Sequence, residues 1–326
     1  MDKEPVLKVR NLSVDIVKGK NTCRAVDEID FDLYPGEICG IVGESGCGKS
    51  LTALSVTGLL PPAARAGGSV YFTPVKNDLL SLNEDELSLI RGKDISMIFQ
   101  EPLSSLNPLM KIGRQITEVL DIHGSDKNDE KNRTSAIELM KKLGLDNPES
   151  LMETYPFRLS GGMCQRVMIA MAMICGPKLL IADEPTTALD LDTQDHILGL
   201  LKEINNAGTS VLFISHDLGI ISSLCDRVMV MYAGKIMEEG SAEDIFSNPA
   251  HEYTRSLLGA LPERGRRGED LKMIPGKVPS IEEGITDGCP FAPRCTRAID
   301  ICLSAFPGPI TINENHITHC VLWELP

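Results

Sequence analysis

The sequence lacks long hydrophobic segments. Its longest uninterrupted apolar run, VMIAMAMIC at residues 167–175, has nine residues, whereas a helix that crosses a bilayer needs about 20. The first ten residues, MDKEPVLKVR, contain no apolar stretch of the kind that secretory signal peptides carry. We therefore expect no membrane-spanning helix and a protein that stays in the cytoplasm.

Positive charge is also scarce. The chain carries 32 Lys and Arg residues against 46 Asp and Glu residues, which gives a formal net charge of −14. Proteins that hold nucleic acid neutralise several phosphates with basic side chains. The charge balance therefore argues against a nucleic-acid partner.

The composition and the order of apolar runs predict an α/β fold. The chain has 326 residues, 42% of them hydrophobic, which is enough to bury a full core. Strand-like runs such as KLLIAD, SVLFIS and RVMVMYAG, at residues 178–183, 210–215 and 227–234, alternate with helical stretches. This alternation is typical of a buried parallel sheet. Residues 106–155 contain more helix formers, and we interpret them as a helical insertion.

GESGCGKS at residues 43–50 fits the P-loop pattern of Gly, four residues, then Gly-Lys-Ser. An apolar strand precedes it and the helical stretch LTALSVTGLL follows. In such a loop, backbone N–H groups wrap phosphate oxygens, Lys49 reaches the β and γ phosphates and the Ser50 hydroxyl can ligate Mg²⁺. The pattern also occurs by chance in unrelated proteins, but the flanking strand and helix favour a nucleotide site.

Polar residues follow three other apolar runs. Asp183 and Glu184 end a buried strand, at the edge of the sheet where ligands of α/β proteins collect. Asp183 is expected to hold Mg²⁺, directly or through water, and Glu184 to polarise the water that attacks the γ-phosphate. His216 and Gln100 also follow apolar runs. Each of these two residues alone is more often structural than catalytic.

LSGG at residues 159–162 is a second candidate phosphate-binding turn. Ser160 is a good N-cap, and Gly161 and Gly162 expose the amides of the first helical turn. Considered alone, an ordinary glycine-containing helix cap is the simpler interpretation. Its position among the other motifs decides between the two.

The motifs GESGCGKS, Gln100, LSGGMCQR, LLIADE, ALD and His216 follow one another in this order. It is the order of the Walker A, Q-loop, signature, Walker B, D-loop and H-loop motifs, and over roughly residues 6–245 the sequence resembles the ATP-binding cassette (ABC) ATPases. The resemblance implies a P-loop NTPase fold with a RecA-like core, an antiparallel β-subdomain and a helical subdomain at about residues 101–176. It also implies that two cassettes stack head to tail, with each ATP between the P-loop of one and the signature helix of the other.

The resemblance assigns roles motif by motif. Glu184, His216 and Gln100 would be catalytic, and Ser50, Gln100 and Asp183 would hold Mg²⁺. The ATP contacts would come from the P-loop, the signature turn and the D-loop: Gly43, Glu44, Ser45, Gly46, Cys47, Gly48, Lys49, Ser50, Leu51, Ser160, Gly161, Gly162 and Asp190. The stretch VKGKNTCRAV before the P-loop lacks the aromatic residue that commonly stacks on adenine, so base recognition is not predicted.

Three further stretches narrow the family. MIFQEPLSSLNPLMKIG around Gln100, NPAHEYTRSLL at 248–258 and IPGKVPS at 274–280 are similar to ATPase subunits of dipeptide, oligopeptide and nickel importers. This implies a peripheral subunit on the cytoplasmic face of the membrane. It would work with a second ATPase subunit, identical or related, two permease subunits and an extracytoplasmic solute-binding protein. Residues 102–108 would meet a coupling helix of the permease.

After about residue 247 the chain becomes rich in Pro, Gly and Cys. We therefore divide it into a nucleotide-binding domain at 1–247 and a C-terminal domain at 248–326. The latter contains four clustered cysteines: Cys289, Cys295, Cys302 and Cys320. Their uneven spacing lacks the CxxC pairs of zinc ribbons and is compatible with an iron–sulfur cluster. Some dipeptide and oligopeptide importer ATPases carry a [4Fe–4S] cluster on a CPFxPRC tail, which this sequence resembles.

Alternatives remain open for the tail and for the whole chain. The four cysteines could instead bind zinc, with His316 or His319 as a substitute ligand, or they could be free or oxidised thiols. The chain itself could be a soluble ABC ATPase of DNA maintenance or translation, or an ATPase regulated by a cluster that senses iron or oxygen. The solute, peptide or nickel, is not determined because both kinds of carrier share these motifs.

Overall fold

A computed structural model describes residues 4–19, 21–124, 128–187, 189–261, 274–283 and 286–323. The strands of these residues are β1 Leu7–Lys18, β2 Asn21–Leu33, β3 Ile38–Val42, β4 Ala64–Phe72, β5 Ile95–Ile98, β6 Leu179–Asp183, β7 Ser210–Ile214, β8 Arg227–Tyr232, β9 Lys235–Ser241, β10 Ile310–Asn313 and β11 His316–Thr318.

The α-helices of the same residues are α1 Lys49–Thr57, α2 Glu84–Ser88, α3 Pro102–Ser105, α4 Ile112–His123, α5 Asp129–Lys142, α6 Pro148–Leu151, α7 Gly161–Met173, α8 Leu191–Asn206, α9 Leu218–Leu224, α10 Ala242–Ser247, α11 Glu252–Gly259 and α12 Asp300–Ser304. Among the helices so described, none combines the length and the apolarity that crossing a bilayer would require.

The main sheet has eight strands in the order β10-β11-β9-β8-β3-β7-β6-β5. The five strands from β8 to β5 are parallel, and β9, β11 and β10 add to them in antiparallel fashion. Every residue of β3, β6 and β7 is buried, because both faces of a parallel sheet are covered. The predicted parallel α/β sheet is thus confirmed. The carboxyl ends of β3, β6 and β7 lie at one edge, which brings together the residues that follow them.

Alternate residues of these strands enter two hydrophobic cores, one on each face of the sheet. Ile41 and Ile181 belong to the core shared with α1 and with a three-stranded antiparallel sheet of order β2-β1-β4. Val42 and Ala182 belong to the core shared with α7, α8 and the C-terminal residues. This two-sided burial follows from the period of two along a strand. It holds the P-loop strand between an antiparallel β-subdomain and a helical layer.

Helices α3 to α7 lie between β5 and β6 in the chain and correspond to the predicted helical insertion. Helix α1 is shorter than the predicted stretch, which ran to Leu60. It ends at Thr57 because Gly58 adopts a left-handed conformation, φ 65°, and its N–H caps the carbonyls of Leu54 and Ser55.

The C-terminal residues share the main sheet and one of its cores. Strand β11 pairs with β9, and Cys289, Phe291 and Cys302 belong to the core under the helical layer. At the junction, the buried Glu238 carboxylate accepts hydrogen bonds from the N–H groups of Ala250, 2.6 Å, and His251, 2.9 Å, and pairs with His316 Nε2, 2.7 Å. The tail is therefore closely joined to the cassette, and the boundary at residues 247/248 stays a prediction.

Candidate functional site

The P-loop connects β3 to α1 in a conformation that its glycines permit. Gly48 has φ 108°, in a region that residues with side chains rarely adopt. A Cβ on Gly43 would lie 2.0 Å from the carbonyl oxygen of Met231. These two positions therefore require glycine, and the backbone N–H groups that lead into α1 form an anion-binding turn.

Lys49 lies inside this loop and is 6% exposed. Its Nζ donates to the carbonyl oxygens of Gly43, 2.8 Å, and Glu44, 3.1 Å. The ammonium group is thus held over the concave side of the loop by two carbonyls. A bound phosphate can take the place of these two neutral carbonyls, because the ammonium group makes stronger hydrogen bonds to a charged acceptor.

Asp183 ends β6 beside the P-loop and fits a Mg²⁺ site. It is 5% exposed, and its Oδ1 is buried without a hydrogen-bond partner among the described residues. Burial raises the pKa of its carboxyl group, while the nearby Ser50 hydroxyl and the Lys49 ammonium favour the charged form. An unpaired buried carboxylate oxygen beside a hydroxyl supplies the oxygen ligands that Mg²⁺ prefers.

Glu184 forms the centre of a cluster of polar side chains. Its Oε2 accepts hydrogen bonds from Gln100 Nε2, 3.1 Å, and Thr187 Oγ1, 3.0 Å, and its Oε1 lies 3.2 Å from His216 Nδ1. Its backbone has φ 48°, a conformation uncommon for a residue with a side chain. The structure therefore brings together three predicted residues, Gln100, Glu184 and His216. The sequence interpretation missed Thr187, although it follows three residues after Glu184.

The signature turn lies apart from this cluster. Ser160 caps α7, and its Oγ accepts a hydrogen bond from the N–H of Met163, 3.3 Å. Asp190 caps α8 and accepts two hydrogen bonds from Thr193. Ser160, Gly161 and Asp190 are exposed. Within the described residues, no hydrogen bond or ion pair joins Ser160 or Asp190 to the P-loop or to Glu184.

The comparisons with known proteins agree with this geometry. Residues 26–187 match the family model "ABC transporter", and residues 237–302 match "Oligopeptide/dipeptide transporter, C-terminal region". The oligopeptide transport ATP-binding protein AppD of Bacillus subtilis is 45% identical over 98% of this chain and 97% of its own length. OppD of Escherichia coli is 45% identical over 93% of this chain and 89% of its own.

The chain belongs to the ATP-binding proteins of the oligopeptide and dipeptide ABC transporters. It is an ABC ATPase, as the order of its motifs predicted. Among solved structures, the dimeric ATP-binding cassette MJ0796, in a post-hydrolysis state bound to ADP and Pi, has a TM-score of 0.65 at 29% identity. The match covers 72% of this chain and 98% of that cassette. The ABC ATPase fold is thereby confirmed.

In this ABC ATPase the four tail cysteines line one small cavity, together with His251 and His319. None of these four forms a disulfide, and burial raises the pKa of Cys289 to about 12. His251 Nε2, which the sequence interpretation missed, lies 3.9 Å from Cys289 Sγ. His316, a predicted substitute ligand, is instead paired with Glu238. Across the described ranges, no three His, Cys, Asp or Glu side chains lie close enough together to hold a metal ion, so the predicted cluster stays a prediction.

Two tail residues contact the ATPase P-loop, which the sequence interpretation also missed. Arg294 forms an ion pair with the Glu44 carboxylate, and the Glu44 N–H donates to Tyr253 Oη, 3.0 Å. The residue pairs are separated by 250 and 209 positions in the chain. A sequence pattern gives no signal for such contacts.

Proposed function

We propose that this ABC ATPase powers the import of dipeptides or oligopeptides. The observation that supports this most is similarity along nearly the whole chain, tail included, to proteins named for oligopeptide and dipeptide transport. Nickel is the alternative solute, because the sequence motifs are shared with nickel importers. A soluble ABC ATPase of another process is less well supported, since the C-terminal match is specific to the transporter family.

Within this proposal, Glu184 is the general base of ATP hydrolysis. Its carboxylate accepts a proton from the attacking water, while Gln100 and Thr187 hold it in place and His216 contacts the water or the γ-phosphate. Lys49 binds the β and γ phosphates in exchange for the two carbonyls that it now contacts. Ser50, Asp183 and Gln100 would hold Mg²⁺, which neutralises phosphate charge when bound.

Two chains, or this chain and a related one, form the working unit. Ser160, Gly161, Gly162 and Asp190 are proposed to contact ATP that is held by the P-loop of the partner cassette. The exposure of Ser160 and Gly161 supports this role. Closure around ATP would complete two sites, and hydrolysis would allow the pair to open.

The remaining partners are two permease subunits and an extracytoplasmic solute-binding protein, with the ATPase on the cytoplasmic face of the membrane. The segment after Gln100 supports a permease contact. Its side chains Leu103 and Leu109 are 60% and 85% exposed, and exposed apolar side chains in one segment mark interaction sites.

We also propose that Cys289, Cys295, Cys302 and Cys320 hold a [4Fe–4S] cluster in a small C-terminal unit, residues 248–326. All four line one cavity, which supports a shared ligand. Binding of the cluster requires deprotonated thiols that lie closer together than the four thiols do in this structure. The cluster would cross-link the tail. Iron and sulfide analysis with an absorption spectrum of anaerobically purified protein tests this, and zinc alone or no metal would contradict it.

Solute uptake tests the transport proposal. In cells that lack the chromosomal gene, the wild-type chain or Glu184→Gln is supplied, and uptake of a labelled dipeptide, a labelled pentapeptide and Ni²⁺ is measured. Peptide uptake restored only by the wild-type chain supports the proposal. Restoration of Ni²⁺ uptake alone would replace peptide by nickel. If none of the three depends on the chain, the transport function is wrong.

A further inference from the structure

Glu44 in the P-loop is held by residues of the loop and of the tail. Its carbonyl oxygen accepts a hydrogen bond from Lys49 Nζ, 3.1 Å. Its N–H donates to Tyr253 Oη, 3.0 Å, and its carboxylate binds Arg294 through both oxygens, 2.6 and 3.1 Å. Tyr253 and Arg294 both come from the chain after residue 247. The C-terminal tail therefore contacts the phosphate-binding loop directly.

The Arg294 guanidinium is held in place by several contacts besides Glu44. Its side chain is only 6% exposed. Its Nε donates to the carbonyl oxygen of Pro275, 2.8 Å, and its Nη1 donates to Tyr232 Oη, 3.1 Å. It also lies against the ring of Phe291. An arginine held in this way makes a planar two-bond pair with a carboxylate at little further cost in side-chain entropy.

Charge explains why such a pair matters at this position. A free carboxylate in the loop would repel a triphosphate, and a partly buried charge is poorly screened by water. The Glu44 side chain is 25% exposed. Pairing with Arg294 cancels its charge while leaving Lys49 free to bind phosphate.

We propose that Arg294 is a positioning residue for ATP binding. From the C-terminal tail, its side chain neutralises Glu44 and holds the P-loop in place. The inference rests on the proposed role of the P-loop in binding ATP phosphates. It makes nucleotide affinity depend on the folded tail. Arg294 directly precedes Cys295, and Phe291 packs on Tyr232 and Tyr253, so these contacts connect the cysteine region with the P-loop.

A charge-removal cycle tests the inference. The variants are Arg294→Gln, Arg294→Lys, Glu44→Gln and the double variant Arg294→Gln/Glu44→Gln. The matched control is Arg297→Gln, which breaks an ion pair between the same tail segment and Glu252 without touching the P-loop. For each purified full-length chain, the Kd of a fluorescent ATP analogue, the KM and kcat of hydrolysis and the thermal midpoint are measured.

We expect Arg294→Gln to weaken ATP binding about tenfold, as one uncompensated charge beside the phosphates would, and to raise KM more than it lowers kcat. The double variant should recover most of this affinity, Arg294→Lys part of it, and Arg297→Gln should bind as the wild type does. Glu44→Gln removes the carboxylate charge together with its pairing to Arg294, so it should bind ATP less tightly than the wild type but more tightly than Arg294→Gln. If Arg294→Gln does not fold, the comparison of Arg294→Lys with Arg297→Gln carries the test.

Three results would overturn the inference: unchanged affinity in Arg294→Gln, equal losses in Arg294→Gln and Arg297→Gln, or no recovery in the double variant. A loss of affinity in Glu44→Gln as large as that in Arg294→Gln would also do so. A wild-type chain that binds no ATP would instead refute the proposed function. The two failures are therefore distinguishable.

Discussion

Replacing Glu184 by Gln should abolish most ATP hydrolysis and leave ATP binding intact. The contacts of the carboxylate predict this separation. If the amide oxygen of Gln takes the place of Oε2, it still accepts from Gln100 and Thr187. The amide NH₂ then faces His216 Nδ1, which can accept a hydrogen bond when that nitrogen is unprotonated. The local geometry is kept, and only the ability to accept a proton is lost.

The size of the expected decrease in hydrolysis rate follows from the loss of the general base alone. A general base contributes about 10²- to 10⁴-fold, which corresponds to roughly 3–5 kcal/mol of activation free energy. The loss should therefore appear in kcat. The Kd for ATP should change less than about threefold, because no P-loop contact is altered.

Phosphate release under saturating Mg-ATP measures the effect, and nucleotide titration of the same preparation measures binding. Glu203→Gln, an exposed acid on α8, is the matched control and should hydrolyse as the wild type does. Hydrolysis by Glu184→Gln within tenfold of the wild type would refute the assignment of the general base. A large loss of ATP binding would refute the geometric reasoning.

Two other predictions concern the paired cassettes and the attachment of the tail. Lys49→Ala and Ser160→Arg chains should each be nearly inactive, and mixing them should restore hydrolysis, because one composite site is then intact; no recovery would contradict head-to-tail pairing of identical chains. Glu238→Ala should lower the free energy of unfolding by about 4 kcal/mol in urea titrations, since it leaves two buried N–H donors and His316 without their partner. A loss below about 1 kcal/mol would contradict that account of the tail junction.

The parts of the fold that sequence reasoning predicted are those with a strong local signal. Strands β3, β6 and β7 are short and mostly apolar. Gly43, Asp183 and His216 lie at or just after their ends, which predicted that these residues share one edge of the sheet. Gln100, Glu184 and His216 were predicted separately, and the structure brings them within hydrogen-bonding distance.

The parts that sequence reasoning missed depend on contacts distant in the chain. Strand β11 joins the sheet by pairing with β9. It has only three residues, which are too few to show the alternating pattern of a strand. The Arg294–Glu44 pair joins residues 250 positions apart. The separate C-terminal domain stays a prediction, and the packing of Cys289 and Cys302 in the same core as the cassette residues has no signal in the sequence.

The most direct test of peptide-coupled ATP hydrolysis is the ATPase rate of the complete transporter in lipid vesicles. The rate is measured with and without its solute-binding protein loaded with peptide. Peptide-loaded binding protein should raise the rate, and Glu184→Gln should abolish both the basal and the stimulated rate. A rate that does not respond to the peptide-loaded binding protein would contradict peptide-coupled hydrolysis.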